Sequence, residues 1–263
     1  MESDSAIIKL MKTDLGSVGF VELLDHMGDD LGIVNAAKVS YFNQAEEFGP
    51  KELRLLNFLL KNKHVSPMEQ TSLKFRVKCP LYISHQWMRH RTWAYNQVSR
   101  RYTKQNIEMY VPEKLRAQHK VNKQCSYDDQ HIDDQTFINS IENTFSICLQ
   151  AYNSMIEAGV ANEIARGVLP CGIMTEFICT VNLRNFINFW ELREKEDAQY
   201  EIRVFAKAMM DQVETVFPRS IELYKELSGI HKTVNALISK YSLDELTGKF
   251  EGLSKELENE FQG

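Results

Sequence analysis

The strictest local pattern in this 263-residue chain is the run from Ser72 to Cys79. Leu73, Phe75, Val77 and Cys79 alternate with Ser72, Lys74, Arg76 and Lys78. A period of two is the signature of a half-buried β-strand. Pro80 closes the strand, and its fixed φ suits a first helical turn, so a helix is predicted from Leu81 to about His90. Gln86, Arg89 and His90 stand at i, i+3 and i+4 and share one face of that helix. A polar turn punctuated by Pro67, H-V-S-P-M-E-Q over 64–70, leads into the strand.

A cation cluster comes directly after the helix. Arg89 to Tyr102 reads R-H-R-T-W-A-Y-N-Q-V-S-R-R-Y, with four arginines and no acidic residue in a chain of net charge -5. Guanidinium groups pair with carboxylates and phosphates through parallel hydrogen bonds, so the cluster suits an anionic ligand, most often a phosphate. The bland alternative is a solvated basic loop. Against it, uncharged polar and aromatic residues separate the arginines, and an ordered strand and helix deliver them. Scaffolds commonly present ligand-binding groups in such a loop.

The rest of the chain reads as one α/β-mixed body without repeats or a low-complexity linker. Residues 6–11 are expected to form a first strand and Val18–Met27 a short helix. Pro50 opens a helix to about Lys61, with Leu53, Leu56 and Leu60 on a buried face. Residues 107–111 suggest a short strand, and 113–132 a polar, variable connection. From Asp133 to Ala158, Phe137, Ile141, Phe145, Cys148, Tyr152 and Met155 recur at steps of three or four, as in a long helix. A short helical piece, 162–167, carries Arg166. Thr175–Val181 reads as a strand, 182–193 as a helix, and 197–217 as another stopped by Pro218. On an ideal wheel of 182–193, Leu183, Phe186, Ile187 and Trp190 make the apolar face. Asn182 and Arg193 fall on one flank, Arg184 and Asn188 on the other. Asparagine is a weak helix former, so either these residues cap a surface helix or the two flanks meet different ligands.

Composition excludes several classes. No apolar run reaches the roughly 20 residues that span a bilayer. The start, M-E-S-D-S, has no signal-peptide pattern, which places the protein in the cytoplasm, away from membranes. Five cysteines without a C-x-x-C pair suggest neither a disulfide framework nor a zinc site, and no metal is expected. A pI near 5.9 argues against nucleic-acid binding.

Arg89-His90-Arg91, seven residues, then Ser99 fits R-H-R-x7-S, and the chain thereby resembles the flavin-dependent thymidylate synthases, the ThyX family. H-V-S-P-M-E-Q, Q-W-M-R-H-R, S-R-R-Y, A-R-G-V-L-P, T-V-N-L-R-N-F-I-N-F and E-L-R-E-K-E-D-A-Q-Y-E-I-R are similar to further family blocks, in the same order. The likeness covers roughly residues 5–220; a synthase domain over 1–227 and a helical tail over 228–263 are therefore expected.

The resemblance implies an α+β fold with an antiparallel or mixed sheet and long helices, assembled as a homotetramer with active sites between subunits. It implies reductive methylation of dUMP to dTMP, with 5,10-methylenetetrahydrofolate as carbon donor, FAD carrying hydride, and NADPH reducing the flavin. Ser66, Arg89, His90, Arg91, Thr92, Asn182, Leu183, Arg184 and Asn188 match flavin-contacting positions, and Gln97 lies beside both ligands. Gln86, Trp87, Met88, Arg89, Gln97, Val98, Ser99, Arg100, Arg101 and Arg166 match the dUMP site. Arg193 matches the arginine that acts at N3 of the uracil ring, where a cation stabilises negative charge and activates C5. No protein nucleophile is then needed, because the cofactor carries the hydride chemistry. Cys79 and Cys179 fall in apolar strand patterns and are expected to be core residues, and Ser99 has no visible base.

The chain departs from the family in having Gln97 for the usual Glu, Ala94 for a frequent Ser, Arg76 where some members have His, and no histidine between Arg193 and Gln199. The first removes a charge from an arginine-rich site. Two other functions are compatible with parts of the pattern: flavin-dependent hydroxymethylation of a pyrimidine nucleotide, and non-catalytic nucleotide or RNA binding through Trp93, Tyr95 and Tyr102.

Overall fold

The structure, a computed structural model, describes residues 11–128 and 132–240. Its centre is a five-stranded antiparallel sheet in the order β1-β2-β3-β7-β4. The strands are β1 (Met11–Asp14), β2 (Phe20–Met27), β3 (Ser72–Pro80), β4 (Ala94–Gln97) and β7 (Met174–Val181). A separate two-stranded hairpin, β5 (Arg116–Gln118) with β6 (Ser126–Asp128), lies in the connection expected to be irregular. The helices are α1 (Asp30–Ala37), α2 (Pro50–Lys61), α3 (Leu81–Trp87), α4 (Asp134–Glu157), α5 (Asn162–Ala165), α6 (Leu183–Arg193), α7 (Tyr200–Val216) and α8 (Pro218–Lys240).

The alternation of β3 is realised side chain by side chain. Leu73, Phe75, Val77 and Cys79 are each 0% exposed, and the intervening residues face outward or to the sheet's rim. Antiparallel pairing lets one face be covered while the other stays polar. On the covered face Val21 and Leu23 of β2 and Phe177, Cys179 and Val181 of β7 join them. Trp87 of α3, Phe186 and Phe189 of α6, and Phe205 and Met209 of α7 pack against that layer. Cys79 and Cys179 are thus core residues, and burial pushes both thiols up, away from thiolate chemistry.

Several expectations are corrected. Val18–Met27 is not a helix: Phe20–Met27 is strand β2, held between β1 and β3, with a bulge between Leu23 and Asp25. Its apolar residues satisfy a helical period locally, and the cross-strand hydrogen bonds decide the matter. The strand expected at 6–11 lies almost wholly outside the described residues, Met11 being the first of β1. No strand forms at 107–111 beyond a single bridge, Met109 to Ile173. Leu53 of α2 is exposed, and the buried stripe there is Leu56, Leu59 and Leu60. Helix α3 ends at Trp87, shorter than expected, and the arginine stretch holds an edge strand, β4. α7 ends just before Pro218, as expected, and the same proline starts α8, which runs through Ser228 without a break.

Candidate active site

The loop after α3 is slung between two buried indoles. Trp87 is 0% and Trp93 5% exposed, while Arg89, Arg91 and Thr92 between them face solvent. Backbone turns close over the interval, His90 N to Trp87 O and Trp93 N to His90 O. Tyr95 of β4 donates its hydroxyl to Trp87 O at 2.7 Å and lies 3.2 Å from His90 O. The two tryptophans anchor the loop, the tyrosine ties it to the sheet, and the cations are held outward.

Helix α6 supplies the opposite wall. Asn182 is its N-cap, accepting from Asn185 N at 2.9 Å, and Leu183 is fully buried while its N–H donates to Thr71 Oγ1. Between loop and helix lies a cavity of about 690 Å³, lined by His85, Gln86, Arg89, His90, Arg91, Thr92, Asn185, Asn188, Leu192 and Arg193. Its charged lining residues include three arginines and no carboxylate. Such a volume is ample for a ring system with a phosphate-bearing chain. Cations with amide donors and acceptors suit an anionic heterocycle.

Arg193, at the last turn of α6, is held in place by its neighbours. Its Nε donates to His90 Nε2 at 3.1 Å, and its Nη2 to Gln86 O at 3.1 Å. The His90 ring, 8% exposed, stands edge-on to Phe189 at 5.0 Å. Burial, then the Arg193 charge, lowers its pKa from 6.5 to about 4. His90 is therefore a neutral acceptor at Nε2, with its proton on Nδ1. Burial and the Arg89 charge also lower the Arg193 pKa, the mark of a desolvated cation beside another cation.

The buried imidazole makes stability depend on pH. The unfolded chain takes up a proton at His90 near pH 6.5 and the folded protein near 4, so this group's stabilisation is full above 6.5 and lost as pH falls towards 4. Denaturant midpoints taken from pH 7 to 4.5 are expected to show a loss on the order of 2–3 kcal/mol from this residue. His90→Gln keeps an acceptor without the titration, and its profile should be flatter by that amount. Identical profiles would contradict the neutral, buried imidazole.

The structure brings together Gln86, Arg89, His90, Arg91, Thr92, Asn188 and Arg193 from the expected set. It does not bring the others there. Trp87 is core, Asn182 a cap and Leu183 core. Met88 is half-buried beside the cavity loop without lining the cavity. Arg184 pairs with Glu69, three residues on from the exposed Ser66, and lines a separate cavity of about 450 Å³ with Ile187, Glu191 and Tyr224. The expected grouping of Asn188 with Arg184 is therefore corrected. Asn185, Asn188 and Leu192 form the stripe that meets the arginine loop, and Arg184, Ile187 and Glu191 the stripe that turns away.

Gln97 faces the covered side of the sheet, where its Nε2 donates to Ser84 Oγ at 3.1 Å and Thr175 Oγ1 at 2.9 Å. The amide is thus anchored inside its own chain. Val98 N bonds Glu176 O, extending β4's pairing by one step. Arg100 lashes its own loop, donating to the carbonyls of Gln105 at 2.5 Å and Asn106 at 2.9 Å. Ser99 Oγ accepts from Arg101 N, Arg101 stands 3.5 Å from Glu163, and Asn162 donates to Arg101 O. Arg166 is exposed on the turn just beyond those two residues. Ser99, Arg101 and Arg166 therefore make a second basic neighbourhood outside the cavity. Sequence reading missed His85, Asn185 and Leu192 as lining residues. The only signal for Asn185 was the poor helix propensity of asparagine, which recurs at the N-cap Asn182 and at Asn185 and Asn188 within α6.

Comparison with known proteins shows the family. The family model described as thymidylate synthase complementing protein matches residues 22–219. A flavin-dependent thymidylate synthase of Thermus thermophilus is 37% identical over 230 residues, 88% of this chain and 83% of that one. One from Rickettsia bellii is 34% identical over 242 residues, 86% of this chain and 81% of that one. Among solved structures, the UMP/dUMP methylase PolB from Streptomyces cacaoi, bound with 5-Br dUMP, superposes with a TM-score of 0.72 at 30% identity, covering 78% of this chain and 94% of that one.

Proposed function

The chain belongs to the thymidylate synthase complementing protein family, and on that premise we propose that it is a flavin-dependent thymidylate synthase that methylates dUMP to dTMP. The observation that carries this reading is the fixed Arg193 guanidinium in a cavity lined by arginines, amides and no carboxylate. Reduced FAD supplies the hydride, 5,10-methylenetetrahydrofolate the carbon, and NADPH the reducing equivalents. That donor set fits a flavin with its phosphates, with Arg89, His90, Arg91, Thr92 and Asn188 as its holders.

Arg193 acts on the uracil ring. Its charge stabilises the negative charge that gathers at N3 and O4 and so makes C5 nucleophilic. His90 and the Gln86 carbonyl keep that guanidinium from rotating, so little reorganisation is needed as charge develops. Being neutral, His90 does not dilute the effect with a second positive charge.

The enzyme works as a homotetramer whose active sites are completed between subunits. Support comes from the position of Ser99, Arg101 and Arg166, a basic neighbourhood suited to the dUMP phosphate but outside the cavity, and of Ser66 and Arg184 on the far side of α6. Further support comes from α4. It is 24 residues long, yet Tyr152 alone is buried within the described chain, and Phe137 and Ile147 are 54% and 67% exposed. A helix whose apolar stripe is only partly covered is suited to another subunit. Among the described residues no helix is long and apolar enough to cross a membrane.

The test is spectroscopic. Purified protein is expected to be yellow or to become so with FAD, and dUMP should perturb the flavin absorbance. A protein that cannot take up FAD refutes the reading.

A further inference from the structure

From Gln86 a half-buried polar chain leads away from the cavity to a buried carboxylate. Gln86 Nε2 donates to Gln199 Oε1 at 2.6 Å. Gln199 is the N-cap of α7, and two residues on Glu201 is 2% exposed. Glu201 Oε1 accepts from Arg116 Nη2 at 2.6 Å and from Tyr110 OH at 3.2 Å. Arg116 reaches it from strand β5, with its guanidinium 4.6 Å over the Tyr200 ring. Glu201 Oε2 is buried with no hydrogen-bond partner. Burial opposes the charge on this carboxylate, but Arg116 above all, with help from the Gln199 side chain, holds it below its usual range and therefore ionised.

An ionised carboxylate accepts hydrogen bonds and cannot donate them. The Gln199 NH2 group accordingly belongs on the side of Glu201, where a buried oxygen lacks a donor, and Gln199 Oε1 belongs on the side of Gln86. That oxygen takes the Gln86 NH2 group. Gln86 Oε1 is left for the cavity, and among the described residues nothing donates to it. One buried charge thus sets the direction of two amides in series, each of which could otherwise be turned end for end.

We infer that Gln199 and Glu201 are positioning residues for the substrate, acting through Gln86 to present an acceptor oxygen to a hydroxyl donor of the uridine nucleotide. The inference rests on the dUMP-methylating reading and deepens it. With Arg193 at N3, the donor is a sugar hydroxyl.

The test is a double-mutant cycle on the FAD-loaded enzyme, read as the dUMP dissociation constant from the flavin absorbance change. Gln199→Leu is expected to weaken dUMP at least 10-fold with flavin content retained, and to add less than 2-fold in a Gln86→Ala background. A merely structural Gln199 would give the same loss in both backgrounds; that result, or no loss at all, overturns the inference. If Gln199→Leu loses its flavin, Glu201→Gln takes its place in the cycle. It has nearly the same shape and can present either end of its amide, and it should cost about 5-fold alone and under 2-fold with Gln86→Ala. Equal costs in both backgrounds overturn the inference again. The Gln86→Ala penalty should vanish against 2′,3′-dideoxyuridine monophosphate, and a penalty that survives there overturns the inference. A wild-type flavoprotein blind to dUMP would instead refute the proposed function.

Discussion

Arg193→Ala is expected to lower kcat/KM for dTMP formation by at least about 10³-fold while leaving the protein folded and able to bind FAD. Removing a single neutral donor from an oxyanion site typically costs about 10²–10³ in rate. Here the lost group is a full charge in a partly desolvated cavity, where its interaction with developing negative charge is stronger than in water. The substitution should not unfold α6, because Arg193 is the last helical residue and its two hydrogen bonds go to the cavity wall and not to the core. It leaves the His90 Nε2 acceptor and the Gln86 carbonyl unpaired, but water can enter at that edge of the cavity. Arg193→Lys separates charge from geometry. An ammonium keeps the charge but cannot span His90 and Gln86 with a planar fork, so partial activity, well below wild type, is expected. Steady-state turnover and bound-flavin absorbance on the same preparations give both readouts. Near-normal turnover in Arg193→Ala would remove this residue from the chemistry.

Trp87→Ala should be the most destabilising substitution in the arginine region, by about 3–5 kcal/mol. Matched to a dUMP-contacting position by resemblance, Trp87 is in fact 0% exposed. Its ring stacks on Phe189 at 5.5 Å and meets Phe177 and Phe205 edge-on at 5.4 and 5.2 Å. These contacts join α3, α6, α7 and β7 in one cluster, and a void at its centre cannot be filled from one side. A typical domain has only about 5–15 kcal/mol in total, so the variant should sit close to unfolding. Flavin binding should weaken with it, since the loop bearing Arg89 and Arg91 hangs from this ring. Trp87→Phe, which retains a stacking ring, should lose less than half as much. Urea midpoints on the three proteins decide the matter, and a shift under about 1 kcal/mol for the alanine variant would show the cluster closing over the gap.

These two residues also show how far the sequence could be read. The strand β3 was legible because its alternation is unbroken, and α6 because Phe186, Ile187 and Trp190 recur on one side. Arg193, His90 and Gln86 were identified as site residues by motif, and the fold does bring them into contact. What was not legible depends on partners distant in sequence. β2 carries Phe20, Val21, Leu23, Leu24 and Met27, a spacing that suits a helix as well as a bulged strand. Only pairing with β1 and β3 separates the two. β4 is four residues long and lies among arginines, so its local signal was weak. A linear motif says that Gln97 and Trp87 are present, but not which face they take; the sheet turns the first inward and the aromatic cluster swallows the second. The stripe on α4 is apolar as expected, and the described chain covers it only in part, burying Tyr152 and half-burying Ile141, Phe145, Cys148 and Met155.

The cavity between the arginine loop and α6 is proposed to convert dUMP to dTMP, with the protein contributing position and charge. The direct test is mass spectrometry of the nucleotide after anaerobic incubation of the purified protein with dUMP, 5,10-methylenetetrahydrofolate, FAD and NADPH. On the flavin-loaded protein dTMP is expected, formed only when both 5,10-methylenetetrahydrofolate and NADPH accompany dUMP, and absent with Arg193→Ala. Accumulation of 5-hydroxymethyl-dUMP, or unchanged dUMP over a flavin that is bound and reduced, would contradict it.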